Sequence, residues 1–245
     1  MTQTKGGSVT TTMKGLIRAG FRILDSGLLI LGLVLVAASS VLVRGHVALR
    51  LFGPHGAHIT RYAMYRALEG ALADEKRGAG KKALAISHSA SLVPILGIES
   101  ADITEANYPE HNIIDLNTFP NSAFDFVLSD QVLEHIAGNP QLAFDESLRV
   151  LKPGGIAVHT TCFIYPIHYG PSDFWRFTPD ALRYLARDFS EIITADGWGN
   201  RWVWITQALG LLFVPVPDAK WHPLQRVVAR NDRLWPVSTW IVARK

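Results

Sequence analysis

Residues 124–155, FDFVLSDQVLEHIAGNPQLAFDESLRVLKPGG, hold a strand, a helix and a tight turn in an order that decides the fold. Phe124 to Ser129 is a short apolar run with aromatic and β-branched character, set off by Pro120, Asn121 and Ser122, and it reads as a buried strand. Asp130 ends it. Asn139 then offers an N-cap with Pro140 at the first helical position, and Leu142, Ala143, Leu148 and Leu151 recur at helical spacing. The stop is Lys152-Pro153-Gly154-Gly155: a cation for the helix C-terminus, a residue that cannot continue the helix, and two that tolerate positive φ. Ile156 to Thr161 follows as a second strand. Two buried strands joined through a helix form a right-handed crossover, so they lie parallel in one sheet.

Working outward, residues 58–75 read as a helix with Tyr62, Tyr65, Leu68 and Leu72 near one face, ended by Arg77-Gly78-Ala79-Gly80. Residues 82–87 look like the first sheet strand, 92–96 a short helix stopping at Gly97, and 101–105 a second strand. Asn107-Tyr108-Pro109 breaks the chain, and 112–116 reads as a third strand. Strands and helices thus alternate up to Thr161, which predicts an open, mostly parallel, doubly wound α/β sheet. Beyond it lies a polar and aromatic loop, 163–177, FIYPIHYGPSDFWRF. Thr178 caps a helix with Pro179 first and Leu182, Leu185, Ala186 and Phe189 as its buried stripe. Residues 192–195 form a sixth strand, 202–213 an apolar helix or insertion, and 238–243 a last strand.

The 245 residues suffice for one α/β domain with an N-terminal appendage. A single cysteine, Cys162, excludes an internal disulfide framework and suits a reducing compartment. Net charge is +3, but the basic residues are scattered among acids without a long stripe, so no nucleic-acid partner is expected. All seven Trp fall between Trp175 and Trp240, which gives the C-terminal third a character of its own.

Residues 1–26 divide off as a disordered, basic N-terminal segment, 27–56 as a hydrophobic helix, and 57–245 as the catalytic-type domain. Within the second segment, 27–43 carries no charge and just reaches the shortest length that crosses a bilayer, ~17 residues. It can be read as a transmembrane anchor, as a signal peptide behind Lys14, Arg18 and Arg22, or as a helix packed on the domain or a partner. Length favours membrane attachment of a domain in the cytoplasm, and basic residues on both flanks leave the orientation open.

Read together, residues 121–127 (NSAFDFV), 132–135 (VLEH), 149–155 (RVLKPGG) and 170–178 (GPSDFWRFT) resemble the class I S-adenosylmethionine-dependent methyltransferases, in particular the type 11-like methyltransferase domain. The resemblance covers about 82–189. It implies a Rossmann-like sheet of seven strands with the last antiparallel, and S-adenosylmethionine over the carboxyl ends of the first strands, as the rule for open α/β sheets requires. A ribose diol asks for a carboxylate at the end of the second strand, where Glu105 stands first and Asp102 second. Asp115 is placed for the adenine amino group with Leu116 as an apolar neighbour of the ring, while Asp130 and Gln131 face the meeting point of methionine moiety and acceptor. This chain departs from the family in the first turn, Ala85 to Ser91, which lacks the usual acid and glycines. Serine adds a Cβ where close approach is needed. Ser87, His88 and Ser89 can still donate hydrogen bonds to the cofactor's carboxylate.

Methyl transfer from a sulfonium is an in-line displacement, so the protein supplies proximity, alignment and, for a hydroxyl acceptor, a base. His168, with Asp173 to orient it, is the candidate base, against a plain structural hydrogen bond; Asp130 is the second catalytic candidate. Tyr165, Asp173, Trp175 and Arg176 are candidates for acceptor contacts; an arginine there either grips a phosphate or carboxylate or holds the loop by a salt bridge. Glu134 and His135 read better as packing and capping than as catalysis. His159 and Cys162 have no second pair at ligand spacing, so no metal is expected. The acceptor expected is a small molecule, glycan or lipid-linked intermediate. A non-catalytic descendant that binds or scaffolds is the alternative, on the strength of the serine turn. Nicotinamide-dependent oxidoreduction ranks last for want of the glycine fingerprint.

Overall fold

A computed structural model of the chain describes residues 24, 26–38, 41, 45, 55–75, 80–98, 102–208 and 213–245, in two units, 1–51 and 52–245. In the first unit residues 26–38 are helical, and Leu28, Leu29, Leu33 and Val34 are all exposed. Among the described residues no helix is long and apolar enough to cross a membrane. The expected span of 27–43 is therefore not borne out over its described part, and residues 39, 40, 42 and 43 lie outside the described residues.

The second unit begins with β1 (His55–His58) and α1 (Ile59–Ala71), then β2 (Lys82–Ile86), α2 (Leu92–Ile95) and β3 (Asp102–Ala106). β4 (Phe124–Asp130), α3 (Gln141–Val150) and β5 (Leu151–Cys162) realise the expected crossover, with β4 and β5 parallel. α4 (Pro179–Leu185), β6 (Glu191–Trp198), α5 (Arg201–Ala208), β7 (Pro215–Pro217), α6 (Pro223–Val228) and β8 (Ser238–Arg244) complete it. β1 pairs with β7 in a two-stranded ribbon. The main sheet has six strands in the order β3-β2-β4-β5-β8-β6, with β8 antiparallel to both neighbours.

Alternate residues of the central strands feed two cores. Leu84, Val127, Ala157 and Ile241 face Phe144 and Val150 of α3 and Leu182 of α4. Ala83, Phe126, Leu128, Ile156, Val158 and Val242 face Ile59, Met64 and Leu68 of α1 and Leu92 of α2. A strand buried on both faces must be apolar throughout, which is why these runs carry no polar alternation.

Three expectations need correction. The third strand, expected at 112–116, is not formed, which leaves the main sheet one short of seven: Asn112 and Asp115 close a tight turn by an isolated antiparallel bridge, with Asp115 N donating to Asn112 O at 2.8 Å. The helix after β4 begins at Gln141, whose N–H bonds Asn139 Oδ1 at 3.0 Å, and its buried residues are Ala143, Phe144, Ser147 and Val150, while Leu142 is exposed. Lys152 does not serve the helix end; its ammonium pairs with Asp125 at 2.7 Å, and Gly154 takes φ +78 within the bulged start of β5.

Candidate active site

The turn after β2 is the part of the site that sequence left most open. Ser87 and His88 take φ 48 and 64, consecutive left-handed conformations that cost a non-glycine residue about 1–2 kcal/mol each. The neighbours hold them there. Ser87 N–H donates to Ala106 O at 2.9 Å, and His88 N–H donates to the Asn107 side chain at 2.7 Å. The Ser89 hydroxyl donates to Ile86 O at 2.5 Å and accepts from Asp130 N–H at 2.8 Å, so Ser89 is buried mortar between β2 and β4 rather than a cofactor donor.

Ser87 and His88 instead form one wall of a cavity of about 530 Å³ at the carboxyl ends of the parallel strands. Tyr108, His111, Asn112 and Ile113 form a second wall, Gln131, Val132 and His135 a third, and Gly170, Ser172 and Phe174 the outer lip. The volume lies within the range of sites that enclose small molecules and cofactors. Glu105 stands at the end of β3, exposed, with Asn107 donating to its Oε2 at 2.9 Å. Asp115 is exposed and Leu116 is fully buried in the core, its N–H bonded to Glu146 at 2.7 Å, so neither lines the cavity. Where Leu116 was expected as an apolar neighbour, Ile113 and Tyr108 line the cavity. These were missed because a strand was read where the chain turns; the Asn107-Tyr108-Pro109 break was the available signal.

Asp130 is engaged on every side. Its carboxylate accepts from Tyr65 at 2.6 Å and from Thr160 at 2.5 Å, and Arg61 Nε lies 3.7 Å away. Burial and then the Asp130 charge push the Tyr65 phenol up, while Arg61, despite burial, is raised by Asp130 and Tyr65. Gln131, at φ 59, donates through its side chain to Thr160 and turns the chain along the cavity wall. Asp130 thus fastens α1 to the sheet.

A second cluster lies beside the cavity. Glu134 is fully buried; one oxygen accepts from Thr161 at 2.9 Å, its carbonyl accepts from Phe174 and Trp175 N–H, and Oε1 has no hydrogen-bond partner. Burial raises its pKa. His135 Nδ1 meets Ser172 O at 2.5 Å, anchoring the lip, and its ring packs edge-on against His168 at 4.9 Å. His168 has Nδ1 3.2 Å from Asp173 Oδ2 and Nε2 3.9 Å from Glu134 Oε1. Tyr165 packs edge-on against the same imidazole at 5.1 Å. Hydrogen bonds from Arg176 hold the Asp173 carboxyl down at about 2. Arg176 also donates to the carbonyls of Trp175, Tyr165 and Pro166, and Trp175 Nε1 donates to Ile136 O at 2.9 Å. Arg176 and Trp175 are therefore corner pieces of the loop, the salt-bridge alternative of the two offered for arginine. His159 is in the core, its Nδ1 sharing a hydrogen bond with Ser129 Oγ at 2.8 Å.

An open α/β sheet whose antiparallel β8 sits between β5 and β6, with its cavity over the carboxyl ends of β2 and β4, defines a Rossmann-like methyltransferase fold. Residues 68–159 match the family described as "Methyltransferase domain". That stretch runs from within α1 through the β4-α3-β5 crossover. No curated protein matches the chain. Among solved structures, a SAM-dependent methyltransferase from Archaeoglobus fulgidus is 13% identical, with 74% of this chain and 94% of that one covered and a TM-score of 0.45. One from Aquifex aeolicus is 11% identical, covering 76% and 92%, with a TM-score of 0.45. The [4+2]-cyclase SpnF is 16% identical, covering 84% and 92%, also with a TM-score of 0.45.

The cofactor fits the residues present. Ser87 and His88 hold the left-handed conformations that glycines adopt without strain, and both line the cavity. The sulfonium supplies an electrophilic methyl group when bound. Ser87, His88, Tyr108 and Ile113 line the cavity and would hold the cofactor there, while Glu105 stands at the end of β3 outside the lining.

Proposed function

We propose that the protein transfers a methyl group from S-adenosylmethionine to an oxygen of a small-molecule or lipid-linked acceptor. The observation that carries this reading is the cavity between the serine turn, the 108–113 wall and Gln131, which has the place and the size for the cofactor. His168 is the group to take the acceptor's proton: Asp173 beside Nδ1 fixes the tautomer that leaves the Nε2 lone pair free. The exposed apolar side chains of 26–38 support an acceptor or a surface of lipid character, with this helix lying on the membrane rather than through it.

A scaffold without catalysis is the second reading, and the serine turn is its support. Calorimetric titration of S-adenosylmethionine and S-adenosylhomocysteine decides. Micromolar binding, about −8 kcal/mol, is expected, weakened roughly tenfold by Glu105→Ala, the loss of one charge-assisted contact, and abolished by Ile113→Trp, which fills the cavity. A folded protein that binds neither compound would give the scaffold reading the lead.

A further inference from the structure

Three donor groups of different chemistry meet beside the cavity, each with one ligand atom: a carboxylate oxygen of Glu134 from the turn after β4, Cys162 Sγ from the last residue of β5, and a ring nitrogen of His168 from the loop that follows. All lie within 4.8 Å of one another. Each is directed into the shared space by what holds its other side. The second oxygen of Glu134 is occupied by the Thr161 hydroxyl, leaving Oε1 bare in a side chain with no exposed surface. Nδ1 of His168 faces Asp173, and the backbone N–H of His168 donates to the same carboxylate at 2.9 Å, so Nε2 points 3.9 Å from Glu134 Oε1. Cys162 is a free thiol, 1% exposed.

A buried carboxylate oxygen without a donor carries a desolvation cost that a cation would offset. Carboxylate–imidazole–metal is the arrangement in which a ligating histidine is commonly oriented. We infer that Glu134, Cys162 and His168 form a binding site for a soft or borderline divalent cation of the zinc type, with the fourth position open toward the exposed edge of His168.

The donor set selects the ion. One thiolate, one imidazole and one carboxylate suit zinc or cobalt and disfavour magnesium and calcium, which take oxygen. Thiolate and carboxylate together neutralise the two charges of the ion. Binding forms a metal–sulfur bond and releases the Cys162 thiol proton to solvent. Tetrahedral zinc, with bonds of about 2.0–2.3 Å, places its ligand atoms roughly 3.5 Å apart. The site closes by a shift of roughly 1.3 Å at most, with the His168 side chain, 35% exposed, the most accessible of the three. Asp173 cannot swing in as a competing ligand, because Arg176 pairs with it.

This goes beyond the methyltransferase reading and does not depend on it, since none of the three ligands lines the cofactor cavity. The Nε2 lone pair that would take a proton is the one that binds the ion, so activity alone cannot separate the two roles; a spectrum can. The full chain is stripped with chelator and titrated with Co²⁺. One equivalent should bind, with visible d–d bands of a four-coordinate ion and a near-ultraviolet thiolate-to-cobalt band, and zinc should displace it. Cys162→Ser should lose the thiolate band. His168→Ala, altered in an accessible loop where folding is not at stake, should weaken binding at least tenfold. Absence of cobalt binding in the folded chain overturns the proposal. So does binding without the thiolate band, or a band that persists in Cys162→Ser. S-adenosylmethionine titration in parallel keeps failure here distinct from failure of the methyltransferase reading.

Discussion

His159 lies wholly buried in β5, its imidazole held neutral with a pKa lowered to about 4 by desolvation. The unfolded chain, with an ordinary value near 6.5, takes up a proton first as the pH falls. Stability is therefore full above about pH 6.5 and declines by roughly 3 kcal/mol down to pH 4, on ~1.4 kcal/mol per pH unit. His58 is lowered to about 4 by burial and by Arg61, and adds to the same window. Asp173, depressed to about 2, acts below it: its contribution persists above pH 4 and is lost toward pH 2. Melting curves followed by circular dichroism should show the melting temperature falling between pH 7 and 5, and falling less in His159→Gln. Parallel slopes for the two proteins would refute the assignment. At this scale the sequence told chemistry better than position. Asp130, His168 and Asp173 do converge near the strand ends, yet Asp130 is consumed by Tyr65, Thr160 and Arg61, partners distant in sequence that no local pattern announces.

Among the elements, β4, α3 and β5 were legible because local propensity and burial agree there. Boundaries and faces were less so. In α3 the stripe was placed on Leu142, Ala143, Leu148 and Leu151; Ala143 does face the sheet, with Phe144 and Val150, but Leu142 is exposed and Leu151 opens β5, because several apolar residues compete for the face and only the docking angle chooses. Residues 112–116 look like a strand because Ile113, Ile114 and Leu116 are apolar, but two of them are spent inward on the core and the segment never meets β3. Elements also meet where the sequence gives no hint. A Cβ on Gly199, after β6, would stand 2.2 Å from Trp235 O and 2.5 Å from Val237 N, both backbone atoms that cannot yield. Gly199→Ala should cost about 3 kcal/mol or more by overpacking. Urea denaturation would measure it, and a loss within 0.5 kcal/mol of wild type would mean that the 235–237 segment is free to move.

For the whole molecule, alternation of strands and helices predicted the doubly wound sheet, and the RVLKPGG and VLEH signatures predicted the class. The strand count failed at one edge, where pairing depends on a neighbour and not on composition. Residues 52–245 form a unit of their own, with both cores inside it. The chain without residues 1–51 should fold and bind S-adenosylmethionine as the full chain does. Sedimentation with anionic phospholipid vesicles should carry down the full chain and leave the shortened one in solution; equal behaviour would remove 26–38 from membrane binding.

The placement of β8 bears on how the protein is made. β5 and β6 are not neighbours; β8 lies between them and is translated after both, once α5, β7 and α6 have followed. Until residues 238–244 leave the ribosome, β5 presents a bare apolar edge and β6 has no partner in the sheet. Such an edge is a template for pairing with other nascent chains. The parallel half of the sheet can assemble early, but the molecule is committed only at its final strand, and chaperone demand should peak in that interval.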